Sequence, residues 1–263
     1  LTGVTFSGNS ASGDGGGMFV DVSSPTLTGV TFSGNSAGGS GGGMKLGGSS
    51  PTLTGVTFSG NSATYKGGGI SLSHSNTTLT NVTISNNTTS GQGAGIFGGV
   101  NANPSLVNTI VSDNIGNYGI YVESGNPSIT YSNLYNNDGD NCYNCGEWIG
   151  NNITVNANAD SCDAYYNISL DPLFCYPANG DFTLAETSPL IGAGENGENI
   201  GALGIGCTET AVYGCTTTTA CNYNQNANTD DGSCTYPEQY YNCDGECIVD
   251  TDGDGVCDEN EVS

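Results

Sequence analysis

The sequence predicts an all-β solenoid of stacked coils, and three observations carry that reading. The block LTGVTFSGNSA occurs three times, starting at Leu1, Leu27 and Leu53, and Leu79 continues the 26-residue step before Leu106 and Ile129 follow at 27 and 23. A fixed period of this length marks stacked supersecondary units. The repeat is rich in Thr, Val, Ser, Gly and Asn, which favour strands and turns over helices. No stretch places apolar residues on a 3.6-residue period.

Within a coil, short runs such as GVTFSG, GGMFVD and SLVNTIV are strands bounded by turn residues. Aligning the repeats gives three apolar columns. Val4, Val30, Val56 and Val82 form one, with Thr109 continuing it. Phe6, Phe32, Phe58, Ile84, Val111 and Leu134 form the second, and Met18, Met44, Ile70, Ile96 and Ile120 the third. A single coil is too thin to bury these side chains, but coils stacked about 4.8 Å apart make one core. Asn9, Asn35, Asn61, Asn87, Asn114 and Asn137 form a polar column suited to an amide ladder at a turn. Glycines 15–17, 41–43 and 67–69 fall where positive φ or crowding is expected. Pro25, Pro51, Pro104 and Pro127 recur where a coil enters its strand.

These residues resemble the right-handed parallel β-helix family, in the glycine-rich form common in bacterial surface proteins. The resemblance covers roughly residues 1 to 206, with regular repeats at 1–137. It implies that NPSITYSNLYNN, DPLF, NGDFTLAETSPLIGAG and NIGALG close the last coils, with irregular last coils and a cap at 138–206.

Charge is lopsided. The chain has 26 acidic residues against two lysines and no arginine, a net charge of −24. Only Asp14, Asp21, Asp113 and Glu123 precede residue 136. Such a balance argues against nucleic-acid and anionic-membrane partners and favours cations. No apolar run is long enough to span a membrane, and no signal peptide is evident. Because the chain begins inside a repeat, it is expected to be a segment of a longer protein.

All 11 cysteines lie between Cys142 and Cys257. Their density points to disulfides and an oxidising, extracellular setting, whether secreted or on the cell surface. A metal site at Cys142, Cys145, Cys162 and Cys175 is the competing reading, but only CYNC has ligand spacing. The odd count leaves one thiol unpaired, and Cys207, at the junction, is the expected one.

From Tyr213 the text changes to YGCTTTTACNYNQNANTDDGSC and then CDGECIVDTDGDGVCDENEVS, so residues 207–263 are a separate cysteine-rich module. It resembles a repeat found near the C-termini of large secreted proteins of marine Bacteroidetes-type bacteria. In DTDGDGVCDENE, Asp250, Asp252, Asp254, Asp258 and Glu261 stand at positions 1, 3, 5, 9 and 12, with Gly255 at the bend and the Val256 carbonyl between. That is the ligand spacing of a 12-residue calcium loop. Without evident flanking helices, and with Cys257 inside, it resembles thrombospondin type 3 loops more than a paired EF-hand. The competing reading is a solvated acidic tail. Asp230, Asp231, Asp244 and Glu246 are weaker candidate ligands.

Many β-helix relatives cleave acidic polysaccharides, and lyases of that fold use Lys or Arg. Here only Lys45 and Lys66 are available, and Lys45 aligns with Phe19, Ser71, Phe97 and Tyr121, with no basic neighbour on the adjacent coils. Hydrolases need two carboxylates about 5 to 9.5 Å apart. Asp21 and Glu123 share a column but stand four coils, or about 19 Å, apart. Asp138 with Asp140, and Asp171 with Asp181, are the pairs that could still converge. His74 reads as a lone surface histidine. Threonines form outward columns at Thr2, Thr28, Thr54, Thr80 and at Thr5, Thr31, Thr57, Thr83. Thr ladders can bind ice, but the Gly or Asn between these columns is expected to bend the strand and spoil a flat lattice. Six Asn-x-Ser/Thr sites stand at Asn76, Asn81, Asn86, Asn87, Asn152 and Asn167. The expected function is a structural or adhesive surface rod with no enzymatic activity, whose partners are surface glycans or other surface proteins. A carbohydrate-binding or carbohydrate-active β-helix is the alternative.

Overall fold

The computed structural model describes residues 1–146, 149–208, 212–225, 227, 229–249, 251 and 257. It divides into two compact units, Leu1–Glu209 and Thr210–Ser263.

The first unit is a parallel β-solenoid whose coils each contribute strands to four sheets. The leucine sheet holds Thr26–Thr28, Thr52–Thr54, Thr78–Thr80, Ser105–Val107 and Ser128–Thr130. The phenylalanine sheet runs from Thr5–Ser7 through Thr31–Ser33, Thr57–Ser59, Thr83–Ser85 and Ile110–Ser112 to Asn133–Tyr135. A short sheet of Ser-Ala strands follows, beginning at Ser10–Ala11. The methionine sheet runs from Met18–Asp21 through Met44–Gly47, Ile70–Ser73, Ile96–Gly98 and Ile120–Val122 to Cys142–Tyr143.

The register is the one the repeat dictates. Phe6, Phe32, Phe58, Ile84, Val111 and Leu134 are successive partners. Met18, Met44, Ile70, Ile96 and Ile120 are likewise in line, and Cys142 extends them. Phe32 is fully buried, its ring stacked 4.9 Å from Phe6 and 4.7 Å from Phe58. The corner between the leucine and phenylalanine sheets needs a left-handed residue. Gly29 and Gly55 fill it early, at φ 59° and 62°, and Asn81 and Asn108 later, at 52° and 50°. The expected bend is therefore present, and it splits the two threonine columns onto different sheets. At another corner the limit is space: a Cβ on Gly42 would press into the carbonyl oxygens of Ser62 and Gly68.

The asparagine ladder is continuous. Each Nδ2 donates to the next Oδ1, from Asn9 through Asn35, Asn61, Asn87 and Asn114 to Asn137, at 2.8–3.0 Å. Asn137 then donates to Asn141, which ends the ladder. Backbone N–H groups donate to the same oxygens, as Asn35 does to Asn61 at 3.0 Å. Buried turn polar groups are thereby satisfied within the stack.

After Asn137 the stack becomes irregular. Ile168 bridges to Asn133 beyond the final phenylalanine-sheet strand. The chain then turns back as a strap. Phe174–Tyr176 pairs antiparallel with Asp181–Ala185, which pairs parallel with Ile205–Cys207. Ile168, Phe174, Phe182, Leu184, Leu190 and Ile200 form a second core with Ile110, which faces outward from the phenylalanine sheet. The Ala202 N–H donates to Thr83 Oγ1 at 3.0 Å, and the Glu195 N–H to Asn108 Oδ1 at 2.7 Å. Thr57 and Thr83, expected to be outward and exposed, are consequently buried. Outward apolar residues such as Ile110 cannot remain in water, and the strap covers them.

Five disulfides form: Cys142–Cys145, Cys175–Cys207, Cys215–Cys234, Cys221–Cys243 and Cys247–Cys257. The expectation that Cys207 is unpaired is corrected. Cys207 ends the strap's last strand and meets Cys175 across the small sheet, whereas Cys162 is free and buried in the second core. In the second unit, three disulfides and a two-strand ladder of Tyr213–Gly214 with Thr229–Asp230 replace a large apolar core.

Candidate functional site

Two regions carry chemistry. The first is the outer face of the methionine sheet. Its alternate positions point away from the core, so one outward column reads Phe19, Lys45, Ser71, Phe97, Tyr121 and Tyr143 over six successive coils. Phe97 and Tyr121 stack with centroids 5.8 Å apart, and Tyr121 and Tyr143 at 4.6 Å, all within 7° of parallel. Tyr118, from the preceding corner, leans on both tyrosines at 5.7 and 5.3 Å. The stacked rings cover one another's faces and present their edges; Phe97 is buried, and Tyr143 is exposed at the end of the stack. Burial pushes the Tyr121 phenol above its usual value, and Tyr143, Glu123 and Tyr118 push the same way. It is a neutral hydrogen-bonding hydroxyl on an apolar ring.

Both of the chain's lysines attend this strip. Lys66 Nζ stands 4.3 Å over the Phe97 ring and 3.9 Å from Glu123 Oε2. The ion pair is solvent-exposed and contributes little stability. Lys45 Nζ donates to Ser71 Oγ at 3.1 Å. Burial lowers the Lys45 ammonium below its ordinary value, the Asp14 carboxylate opposes this, and Lys66 adds to the lowering. The alignment had given Lys45 no basic neighbour. Lys66 is that neighbour, brought in from a corner outside the strand columns.

Three of the four acids left open by the sequence are held by their own turns. Asp140 Oδ1 accepts from the Asn141 N–H, and Asp171 Oδ1 from the Leu173 N–H. Asp181 Oδ1 accepts from the N–H and hydroxyl of Thr183. Asp140 lines an end groove of about 310 Å³ with Asn141, Asn151, Asn152 and Asn167, and no other acid among the described residues borders it. His74 is exposed, its Nδ1 3.1 Å from Ser73 Oγ. Of the six Asn-x-Ser/Thr sites, Asn87 belongs to the buried ladder and Asn167 is buried, while Asn81 Nδ2 lies 3.4 Å from Glu198. Asn76 and Asn152 are exposed.

The second region is the acidic loop. Asp250, Asp252, Asp254, Val256, Asp258 and Glu261 lie outside the described residues. Three of the weaker candidates are engaged locally. Asp230 and Asp231 accept from the N–H groups of Gly232 and Ser233, and Glu246 Oε2 accepts from Asn242 Nδ2. Hydrogen bonds from Ser233 hold Asp231 below its usual carboxyl value. Among the described residues, no group of three or more His, Cys, Asp or Glu side chains is placed to hold a metal ion.

A family model described as a right handed beta helix region matches residues 2–169, ending where the strap begins. No curated protein and no solved structure matches the chain.

Proposed function

This chain belongs to the right-handed β-helix family, and from that premise we propose that it is a secreted or cell-surface structural protein. It acts as a rigid, adhesive spacer whose C-terminal module is stabilised by calcium. The observation that carries the reading is the unbroken pairing of six coils, with a buried amide ladder and one apolar core running their length. Neighbouring coils lock one another, so a solenoid transmits force and holds its shape. Five disulfides support an oxidising compartment. No described helix is long and apolar enough to cross a membrane. The compartment is tested by protease shaving of intact source cells. Release of the solenoid without lysis supports the reading; recovery only from the cytosol, with thiols reduced, refutes it.

Calcium rests on the ligand spacing at Asp250, Asp252, Asp254, Val256, Asp258 and Glu261. A single loop of this kind binds at roughly 10⁻⁴ to 10⁻³ M, the range of extracellular modules.

A second reading, glycan binding, is favoured by the Phe97–Tyr121–Tyr143 stack. Sugar rings present hydroxyls to phenols and C–H faces to aromatic rings; the stack offers the Tyr121 and Tyr143 phenols and the exposed Tyr143 ring at its end. Pull-down on insoluble polysaccharides tests it: Tyr121→Ala should lose retention, and retention equal to that of the unmutated chain refutes it.

A further inference from the structure

One corner of the solenoid carries a tyrosine where the repeat places glycine. The corner that leads into the methionine sheet is occupied in successive coils by Gly15, Gly41, Gly67, Gly93, Tyr118 and Gly139. Through the first five, each N–H donates to the carbonyl just before the next member. All six have a left-handed backbone, with φ of 71°, 75°, 65°, 65°, 67° and 81°. An L side chain is strained in that region, and one as large as tyrosine is an outlier there. Space is also short: a Cβ on Gly93 would stand 2.8 Å from the Ile96 carbonyl carbon. Backbone strain of this kind persists where the surroundings over-determine it, and it concentrates at functional positions. What Tyr118 gains from its place is contact with two other phenols.

The Tyr118 ring centroid stands 5.7 Å from Tyr121 and 5.3 Å from Tyr143, with the planes tilted by 51° and 52°. Tyr121 and Tyr143 lie 4.6 Å apart. Among the described residues, no other three tyrosines meet. Tyr143 is exposed and the other two are half-exposed, so a reagent in solvent reaches the cluster. Neighbouring phenols have a reactivity that an isolated one lacks, which is oxidative coupling. The bond of a dityrosine joins the ring carbons beside the two hydroxyls and lies in the plane of each ring, with the rings twisted against each other. Rings stacked face to face point in the wrong direction for that bond. Tyr121 and Tyr143 are stacked in this way at 6°, as are Tyr131 and Tyr166 at 5.0 Å and 6°. Tyr118 with Tyr143 is the shorter of the two tilted pairs, and it includes the exposed ring.

We propose that Tyr118 and Tyr143 are the site of an oxidative cross-link, a carbon–carbon bond made by a peroxide-driven one-electron oxidant. Each phenol gives up one electron and one proton, leaving a tyrosyl radical whose unpaired electron is shared with the ring carbons beside the oxygen. One such carbon from each ring forms the new bond. The hydrogens on those two carbons then move to the oxygens, which restores both phenols. Two electrons and two protons pass to the oxidant, and one hydrogen peroxide becomes two waters. The bond ties the corner at Tyr118 to Cys142–Tyr143, the last strand of the methionine sheet, where the stack becomes irregular. It complements the Cys142–Cys145 disulfide, which closes a loop only within that segment.

The proposal does not rest on the glycan reading, whose readout is retention on polysaccharide, so either can fail alone. Its test treats the full chain, in dilute solution, with a peroxidase and limiting hydrogen peroxide. Monomer is isolated by denaturing electrophoresis after reduction and digested, and its linked peptides are mapped by mass spectrometry. The expected product is a monomer lighter by two hydrogens, with dityrosine fluorescence and a peptide pair joining Tyr118 to Tyr143. Tyr118→Phe keeps the ring and removes the oxygen; it should lose that product, whereas Tyr131→Phe should keep it. Treatment in strong urea, which separates the rings, should also abolish it. Monomer without dityrosine overturns the proposal, with no dependence on a variant's folding. Links mapped mainly to Tyr121–Tyr143 or Tyr131–Tyr166 overturn it too, as does an undiminished yield from Tyr118→Phe.

Discussion

Replacing Asn61 by alanine tests whether the amide ladder is structural. Asn61 is fully buried, and its side chain makes four hydrogen bonds. Its Nδ2 donates to the Phe32 carbonyl at 3.0 Å and to Asn87 Oδ1 at 2.9 Å. Its Oδ1 accepts from the Asn35 N–H at 3.0 Å and from Asn35 Nδ2 at 2.9 Å. Two partners retain other bonds in the variant. Asn87 Oδ1 still accepts from the Asn61 N–H, and Asn35 Nδ2 still donates to the Phe6 carbonyl. The Asn35 N–H loses its partner in a buried site, which costs about 1–3 kcal/mol. The other three bonds contribute about 0.5–1.5 kcal/mol each. The expected loss is about 2.5–7.5 kcal/mol. Asn9→Ala, at the ladder's end, removes one side-chain bond, to Asn35 Oδ1 at 2.9 Å, and should cost about 1 kcal/mol. Urea unfolding followed by far-ultraviolet circular dichroism reads both, provided the slopes agree. Equal losses for the two variants would refute the claim that buried ladder amides carry stability. Asn61→Asp adds a pH signature. Burial and the facing Phe32 and Asn87 oxygens raise that carboxyl's folded pKa, against the opposing Asn35 donors. Its deficit should grow as pH rises from about 3.9 and level off above the folded value.

Further outcomes are expected. Phe32→Ala, which opens a cavity between Phe6 and Phe58, should cost about 3–5 kcal/mol by the same assay, and a loss under about 1 kcal/mol would end the stacking account. The single free thiol, Cys162, is buried, and burial followed by Asp163 and Asp160 raises its pKa. One thiol per chain should therefore react with a disulfide reagent only after denaturation, and rapid native labelling would contradict the second core. Calcium titration of the full chain by calorimetry should show millimolar-range binding that Asp252→Ala removes and Asp14→Ala does not; no heat at millimolar calcium favours a solvated acidic tail. Incubation with pectins, alginates and neutral glycans should release no new chain ends, and turnover lost on mutating Asp140 or Asp171 would place the protein among the enzymes.

The sequence alone determined what depends on a coil and its immediate neighbours. The period placed Phe6 on Phe32 on Phe58 and Asn35 on Asn61 on Asn87, because parallel pairing forces equal positions of equal repeats into contact. The corner glycines followed for the same reason, since positive φ recurs at each turn. What the tertiary structure decided lies in contacts the period does not generate. The strap reaches Thr83 from Ala202, 119 residues away, and no repeat announces that meeting. It buries Thr57 and Thr83, pairs Cys207 with Cys175 and leaves Cys162 as the free thiol. The tyrosine strip was half legible: Phe97 and Tyr121 align, but Tyr143 and Tyr118 join them only after the irregular 23-residue coil is laid down. Nearest-neighbour contacts repeat with the sequence, whereas a fold-back is selected once, by the apolar surface that a particular stretch leaves uncovered.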